Sequence, residues 1–397
     1  MSEALFNYRF SLATIVALAC YQVVLCFLNT HGISISNNIV AATEACIVMA
    51  VTCRVLPRRP LGNMALLAFL AAYFAALWAM RGETDTLGPR NILIILVFFW
   101  LGQSINHRDD ANKIVWYLST IVLFFGFFEY AFTDTYLKQF DILHYYMARE
   151  MATESDMAHA QTNVFISGIR PGGRNLLPFL GDLRVSSVFL EPVSMGNYAV
   201  IVGMWALSFD RQDWRKGIGH FIVAVVLVIA SDSRFASMIL FLLMLVRLFP
   251  LTQKPAVLLL LPVLTLSGLM LYTHMGLADA RMDDLSGRLM RTGETLIHMD
   301  ILHIFGLDIP EALYDSGIPY SLEIFGLLLV IILWIIFAAF PICTEQGMRF
   351  RAMLAVYCLG LLLISGTSFY SSKTAAILWL LMGVSYRNPG KEELINR

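Results

Sequence analysis

The segment RVSSVFLEPVSMGN, residues 184–197, places charged residues directly before a long apolar run. Glu191 is followed by Pro192, and proline is best tolerated in the first turn of a helix, where its missing N–H has no partner to lose. We therefore expect Glu191 at the start of a helix, facing protein or a wet cavity, where a carboxylate could accept a proton or orient a ligand. The alternative is a carboxylate that only complements the helix N-terminus.

A second polar segment, SDSR at 231–234, separates two apolar runs. The turn is so short that Arg234 must lie at membrane depth or just above it. Two interpretations are open. Arg234 could point into a cavity and hold an anion, or Asp232 and Arg234 could form a local ion pair that closes the turn.

Further charged residues lie in SGRLMRTGETLIHMDILHIFG and the segment after it. Arg288 and Arg291, together with apolar residues at helical spacing, predict a helix with one apolar and one basic face. Asp315 directly precedes the next apolar run, and Tyr320 lies on the first turn of that run. These segments predict a cavity ringed by arginines and a few carboxylates. The arginines are Arg184, Arg234, Arg288 and Arg291.

Two features mark the segment between the fifth and sixth apolar runs. Apolar residues at helical spacing over 136–147 predict an amphipathic helix on the membrane surface. Farther along, GIRPGGR predicts a turn between Arg170 and Arg174. The turn could present these basic groups to a lipid phosphate, or it could be an ordinary surface loop.

Composition shows what kind of protein must position these residues. Of the 397 residues, 58% are hydrophobic and only 14% are charged. A soluble domain has about 25% charged residues, so the composition argues strongly against a water-soluble globular enzyme. The net charge of −1 and the lack of a basic stripe argue against a nucleic-acid partner. No loop carries a CxxC pair, so neither a zinc site nor a disulfide framework is indicated.

The apolar residues fall in blocks of roughly 17–22, the length that crosses about 30 Å of hydrocarbon as a helix. We predict an all-α polytopic membrane protein that forms a single integral membrane domain over residues 1–397. Two long loops, at 133–189 and 275–318, interrupt the spans. The twelve predicted spans lie at about 11–28, 38–55, 62–80, 91–105, 114–132, 190–209, 218–231, 235–249, 256–274, 319–341, 353–369 and 372–386.

The orientation follows from lysine and arginine in the short loops, which concentrate on the cytoplasmic side of membrane proteins. With the N-terminus inside, the cytoplasmic segments hold most of these residues, such as Arg58, Arg215 and Arg349. The opposite short loops hold few. This bias predicts that both termini are cytoplasmic and that both long loops lie outside.

The polar segments resemble, in order, the motifs of the Wzy-type polysaccharide polymerases. These belong with the O-antigen ligases to one superfamily of membrane glycosyltransferases. RVSSVFLEP is similar to the family's Arg-x-x-Ser-x-Phe-x-Glu-Pro signature, and SDSR to its Ser-x-Ser-Arg turn. SGRLMR is similar to part of its large outer loop. IFGLDIPEALYDSGIPYSLEIFG is similar to its Phe-Gly-x-Gly turn, followed by Asp/His-Ser/Asn-x-Tyr and a span that contains Phe-Gly. There are two departures. Asp308 replaces a glycine, and Asp315 stands where ligases usually carry a catalytic histidine, which favours polymerase over ligase.

The resemblance implies a GT-C-like helical fold and a reaction at the periplasmic face of the bacterial inner membrane. Such enzymes move a growing glycan from undecaprenyl diphosphate onto the terminal sugar of a fresh lipid-linked repeat unit. They form exopolysaccharide or O-antigen-type polymers by an inverting transfer and need no nucleotide sugar, metal or cofactor. The implied partners are undecaprenyl diphosphate-linked oligosaccharides, membrane lipids and a chain-length regulator.

The candidate residues suit this chemistry. A leaving diphosphate gains negative charge, which fixed arginines can meet. We expect Arg184, Arg234 and Arg288 to bind the two diphosphates, with Arg291 in reserve.

The acceptor hydroxyl needs a proton acceptor within hydrogen-bond reach. Asp315 and Glu191 are the candidates for this catalytic role. We favour Asp315 as the base, with Glu191 orienting a sugar or an arginine. Tyr320 could stack on a sugar ring. The alternative functions are an O-antigen-type ligase and a lipid-linked oligosaccharide flippase or transporter.

Overall fold

The computed structural model describes residues 3–152, 164, 166–170, 173–249, 253–282, 284–310, 313, 316–342 and 344–386. Over these residues the protein is all-α, as predicted, and extended pairing is limited to an isolated bridge between Ile169 and Leu183. We number the helices of this part of the chain α1 Glu3–Thr30, α2 Asn37–Val55, α3 Leu61–Arg81, α4 Leu87–Gln103, α5 Arg108–Ala131, α6 Thr133–Gln139, α7 Ile142–Ala148, α8 Pro192–Ser208, α9 Trp214–Ser231, α10 Arg234–Leu248, α11 Pro255–His274, α12 Leu285–His298, α13 Ile301–Ile304, α14 Gly317–Ala339, α15 Glu345–Leu362 and α16 Ser372–Ser385.

Seven helices in the described residues are long and apolar enough to cross a membrane: α1, α2, α3, α5, α9, α11 and α14. Each of the other five predicted spans also overlaps a helix. However, α4, α8, α10 and α16 have only 17, 17, 15 and 14 residues, and α15 carries three charged residues. The helices therefore indicate a polytopic membrane protein, and length and composition by themselves support seven crossings.

The chain forms two compact units. The first consists of Met1–Arg54, Val97–Leu240 and Ser372–Val384. The second consists of Val55–Leu96, Phe241–Ser371 and Ser385–Arg397. Two of the boundaries fall in the middle of α4 and α10, and each unit is assembled from segments that are far apart in the sequence.

Helix α8 lies in the core of the first unit, and nearly all of its residues are buried. A helix that is apolar on all sides must be surrounded by protein or lipid, and α8 packs along α9. The polar groups of its two large aromatic side chains, Trp205 and Tyr198, form hydrogen bonds with residues of α5. Trp205 donates to Asn112 Oδ1 at 2.7 Å, and the Tyr198 hydroxyl bonds to Ser119 at 2.9 Å. The segment just before α8 is thereby held against a rigid support.

Helix α14 of the second unit is interrupted at Gly326, whose φ of 71° and ψ of 150° are not helical. The Tyr73 hydroxyl donates to the carbonyl oxygen of Phe325 at 2.8 Å, which satisfies a group at the break. Gly306, also at positive φ, lies against the same point, and a Cβ on Gly306 would come within 3.0 Å of Gly326 Cα. The Phe305-Gly306 and Phe325-Gly326 pairs therefore pack against each other.

Replacing Gly326 with alanine should lower the free energy of unfolding by about 1–3 kcal/mol, because a non-glycine residue is strained at this φ. The added Cβ would also lie 2.5 Å from the Phe305 carbonyl oxygen. Gly268 of α11 is the matched control, since a Cβ there would meet nothing within 4 Å. Thermal unfolding in detergent measures both variants, and equal midpoints for Gly326→Ala and Gly268→Ala would contradict the packing described above.

The first long loop differs from the single amphipathic helix predicted at 136–147. It forms two short helices, α6 and α7, with a break at Phe140 and Asp141. Asp141 caps α7 by accepting a hydrogen bond from the His144 N–H at 3.0 Å, a role that aspartate commonly takes. Tyr136 and Tyr146 are buried. Burial against protein thus replaces the continuous apolar stripe that the spacing indicated.

Candidate functional site

The turn between α9 and α10 is built around Asp232, which ends α9 with left-handed dihedral angles. Its carboxylate is fully buried. Arg170 donates to Oδ2 at 2.6 Å, and the Leu176 N–H donates to Oδ1 at 2.7 Å. Asn175 adds two further hydrogen bonds to Oδ2. Asp232 therefore ties segment 170–176 to the end of α9, and its ion-pair partner is Arg170, not the local Arg234 considered from the sequence.

Two more arginines satisfy the last carbonyl groups of α9, which have no partners within the helix. Arg174 donates to the carbonyl oxygens of Ile229 and Ala230. Arg184 donates through Nε to the carbonyl oxygen of Ser231 at 3.1 Å. The helix dipole also favours cations at this end. Arg184, which the sequence predicts to bind diphosphate, therefore donates its Nε–H to the protein itself.

These arginines and Arg234 form a group that we call the arginine cluster: Arg170, Arg174, Arg184 and Arg234. Burial lowers the pKa of Arg184, and the other three arginines lower it as well while Asp232 raises it, so that the pKa is about 10. Arg184 still carries its proton at neutral pH. The cluster places four guanidinium groups around one carboxylate, and the resulting excess of positive charge favours a polyanionic ligand.

Arg234, the first residue of α10, is the exposed member of the cluster. In the part of the chain that the structure describes, its guanidinium group pairs with no carboxylate and donates to no carbonyl group. A planar guanidinium group with available donors can grip phosphate oxygens in a bidentate fork. Arg234 is therefore the member of the cluster best placed to touch a ligand.

Glu129, near the end of α5, holds the backbone of the RVSS segment in place. Its buried carboxylate accepts hydrogen bonds from the Ser186 N–H, the Ser186 hydroxyl and the Ser187 N–H. Ser187 and Leu190 both have positive φ, at 53° and 60°. Backbone strain of this kind persists only where the surroundings enforce it, and it is concentrated at functional sites. The one local signal for this role is a carboxylate within an apolar run.

Replacing Glu129 with glutamine should lower the free energy of unfolding by about 1–3 kcal/mol, because at least one buried N–H loses its acceptor. The segment that ends at Glu191 should loosen as well. Thermal unfolding in detergent and protease sensitivity of residues 184–191 would measure the two effects. Glu83→Gln, at an exposed position, is the control, and a Glu129 variant that behaves like it would contradict this assignment.

Glu191 lies immediately before α8, with Pro192 as the first helical residue, as the sequence predicts. Its carboxylate accepts a hydrogen bond from the Tyr146 hydroxyl at 2.8 Å and from the Ser194 hydroxyl at 2.8 Å. Lys373 Nζ lies 3.8 Å from Oε1. The carboxylate makes no capping bond to the backbone of α8, and 26% of the side chain is exposed. Glu191 is thus oriented by side chains and remains accessible.

Behind Glu191, a row of polar groups continues into the first unit. Lys373 is 6% exposed and also donates to the Phe189 carbonyl oxygen at 3.1 Å. Its neighbour Ser372 donates to Glu44 Oε2 at 2.7 Å, and Tyr21 donates to the same oxygen at 3.2 Å. Ionisable residues inside a membrane protein are costly and usually functional. Neither Lys373 nor its pairing with Glu191 was predicted, because the two are far apart in the sequence.

Arg288 and Arg291 lie in the second unit, on α12, the helix that the sequence predicts there. Asp284 caps this helix by accepting from the Gly287 N–H at 2.7 Å. Both arginines are half-buried, and Arg291 donates to the Ala280 carbonyl oxygen at 3.1 Å. Asp315, the favoured base, lies outside the described residues.

Tyr320, predicted as a platform for a sugar, is only 4% exposed. Its ring centroid lies 6.1 Å from that of Tyr370, and a Cβ on Gly366 would lie 2.8 Å from Tyr320 Cγ. The ring is therefore packed between protein groups, and the stacking role finds no support in this conformation. Its position on the first turn of α14 agrees with the prediction.

Several ionisable side chains lie around the break in α14. Arg81 donates through Nε to the Gly306 carbonyl oxygen at 2.6 Å and also to the Glu323 carbonyl oxygen. His303 lies between two carboxylates, 3.4 Å from Glu323 and 3.6 Å from Asp308. Glu323 is 2% exposed and Asp308 is 47% exposed. Of these residues, the family motifs indicated only Asp308. Arg81 stabilises the interrupted helix by bonding to carbonyl groups on both sides of the contact between Gly306 and α14.

No protein-family model, curated protein or solved structure matches the chain.

Proposed function

We propose that the protein is a membrane glycosyltransferase that polymerises undecaprenyl diphosphate-linked oligosaccharide repeat units. The arginine cluster, with Arg234 exposed at its edge, is the observation that carries the proposal. It offers fixed positive charge beside span-length apolar helices, α5 and α9. A ligand that suits both features has an anionic head and a long apolar chain. A polyprenyl diphosphate is such a ligand.

The reaction joins two lipid-linked glycans. An acceptor hydroxyl attacks the anomeric carbon of the donor, a new carbon–oxygen bond forms there, and the bond to the diphosphate breaks. The hydroxyl proton passes to a carboxylate, and the diphosphate leaves with the bonding electrons. Because the leaving group is already installed, one displacement with inversion needs one base. Preorganised guanidinium groups lower the barrier by meeting the charge that develops on the leaving oxygen.

Two carboxylates remain the candidates for the proton transfer. Glu191 accepts hydrogen bonds from Tyr146 and Ser194 and faces Lys373. Hydrogen bonds and a cation stabilise the ionised form of a carboxylate and weaken it as a base. We therefore keep the orienting role for Glu191 and the base role for Asp315. The partial exposure of Glu191 lets it contact a sugar hydroxyl or a ligand-bound arginine.

The proposed setting is the bacterial inner membrane, with twelve spans in a GT-C-like arrangement. Both termini are cytoplasmic and the arginine cluster faces the periplasm. The support is the distribution of lysine and arginine among the short loops and the helix found at every predicted span. The short helices α4, α8, α10 and α16 also cross in this arrangement.

One observation favours a second function, transport of a lipid-linked oligosaccharide. A flippase needs polar groups along the length of its spans, and Glu44, Ser372 and Lys373 form such a row inside the first unit. A ligase, which uses the same donor and a different acceptor, is the alternative within glycosyl transfer. A polymerase lengthens the glycan, a ligase moves it to a different acceptor, and a transporter moves the lipid without changing it, so assays of the purified protein distinguish the three.

The test uses the purified full-length protein in detergent with lipid diphosphate-linked repeat units from its own organism. EDTA is present and nucleotides are absent, and the products are sized on a gel. We expect a ladder of polymers. An intact substrate with folded protein would overturn the proposal. In that case, transfer to a lipid A-type acceptor would identify a ligase, and movement of the lipid across liposomes would identify a transporter.

A further inference from the structure

An apolar groove runs between α5 and α9 in the first unit. Its volume is about 410 Å³, within the range of roughly 300–1,000 Å³ that is usual for small-ligand sites. Leu123 and Phe127 form one wall, Val226 and Leu227 form the other, and Met195 of α8 also contributes. None of these side chains can form a strong hydrogen bond, so water has few partners in the groove.

The groove opens toward the surroundings of the helices. Phe127 is 66% exposed and Val226 is 46% exposed, and they lie on two of the helices long enough to cross a membrane. Gly126 of α5 also lines the groove, and its lack of a side chain lets Val185 approach closely, since a Cβ there would lie 3.3 Å from Val185 Cγ1. An open apolar space on a membrane-spanning surface is accessible to a hydrocarbon chain from the bilayer.

One end of the groove is polar and positively charged. Arg174 lines it at the end of α9, where it bonds to the carbonyl groups of Ile229 and Ala230. Arg174 is only 3% exposed, and its buried Nε–H has no hydrogen-bond partner among the described residues. Leaving a buried donor without an acceptor costs about 1–3 kcal/mol. The other members of the arginine cluster lie beside it and add positive charge.

We propose that this groove binds the hydrocarbon chain of a polyprenyl phosphate lipid, with the phosphate group held by Arg174 and the rest of the arginine cluster. The inference rests on the proposed function and adds the helices that hold the lipid chain. A single groove that ends at a single charged site accommodates one chain. A two-chain phospholipid would leave its second chain outside the groove, so we commit to the single-chain lipid.

The test uses a substitution that narrows the groove and leaves the arginine cluster unchanged. Val226→Trp adds bulk at an exposed wall position, and Ile222→Trp adds the same bulk one helical turn away, where the native side chain is 58% exposed and outside the groove. Photocrosslinking with a benzophenone-bearing undecaprenyl monophosphate measures binding to the purified full chain. We expect crosslinking to fall at least tenfold in Val226→Trp and to remain at the native level in Ile222→Trp. Circular dichroism and thermal unfolding check that both variants fold.

Two results would overturn the inference. One is unchanged crosslinking in Val226→Trp, and the other is equal competition by the two-chain lipid phosphatidylglycerol. The monophosphate has no glycan to transfer, so the binding result is independent of polymerisation. If Val226→Trp abolishes binding but no polymer forms with the native protein, the proposed function fails and the lipid-binding groove is supported. If polymer forms but Val226→Trp binds the probe normally, the groove proposal fails and the proposed function is supported.

Discussion

Replacing Arg234 with alanine should reduce polymer formation by about 10²–10³-fold, the usual effect of removing one donor that meets charge in a transition state. Arg234 is the exposed member of the arginine cluster, and its guanidinium group has no carboxylate partner in the described part of the chain. The fold should survive, because the other three arginines hold the turn together. Initial rates from the reconstituted reaction, with the donor lipid varied, measure the effect.

Two companion variants sharpen the Arg234 experiment. Arg234→Lys keeps the charge but loses the planar fork, so we expect an intermediate rate. Arg211→Ala removes another exposed arginine, near the opposite end of α9, and should leave the rate unchanged. Equal rates for Arg234→Ala and Arg211→Ala would remove Arg234 from the proposed site.

The second large effect concerns stability. Replacing Asp232 with alanine should lower the free energy of unfolding by about 3–5 kcal/mol, the cost of breaking a buried ion pair from one side. Asp232 is fully buried and its partner Arg170 is 21% exposed, which favours the lower end of this range. The loss also leaves the four arginines without their shared carboxylate. Thermal unfolding of the purified protein in detergent measures the change.

Asp109→Ala is the matched control for Asp232→Ala. Asp109 pairs with Lys216 at 3.0 Å, but its side chain is 66% exposed, and exposed ion pairs contribute only about 0–1 kcal/mol. Asp232→Asn should fall between the two, since asparagine tolerates left-handed dihedral angles but cannot accept every bond that the carboxylate accepts. Similar unfolding midpoints for Asp232→Ala and Asp109→Ala would refute the role of Asp232.

Local patterns in the sequence predicted much of the first unit. The position of Glu191 before α8 follows from Pro192, and the turn at Gly173 follows from the glycines and proline around it, as the hydrogen bond from the Gly173 N–H to the Arg170 carbonyl oxygen shows. The helices follow from apolar blocks whose length and composition need only a short window to identify. These features depend on neighbours within a few residues.

The missed features depend on distant residues. Glu129 binds a segment 57 residues later, and Arg170 pairs with an aspartate 62 residues away. A single sequence contains no signal for such pairs. The arginines were therefore interpreted as ligands, although Arg174 and Arg184 bind carbonyl groups of α9 and Arg170 pairs with Asp232, the residue after α9. The single helix predicted at 136–147 was wrong because burial of tyrosines against protein, not an apolar stripe, decides the structure there.

The row of polar groups behind Glu191 also constrains how the protein is made. Glu44 and Ser372 are 328 residues apart, and Lys373 reaches Phe189 across 184 residues. During synthesis, α2 must therefore enter the membrane with a carboxylate whose C-terminal partner does not yet exist. The first unit is complete only when α16, the last helix described, has been synthesised and packs into it. Its first helices therefore lack these contacts during most of translation, and the packing of α16 is the last step in assembling the unit.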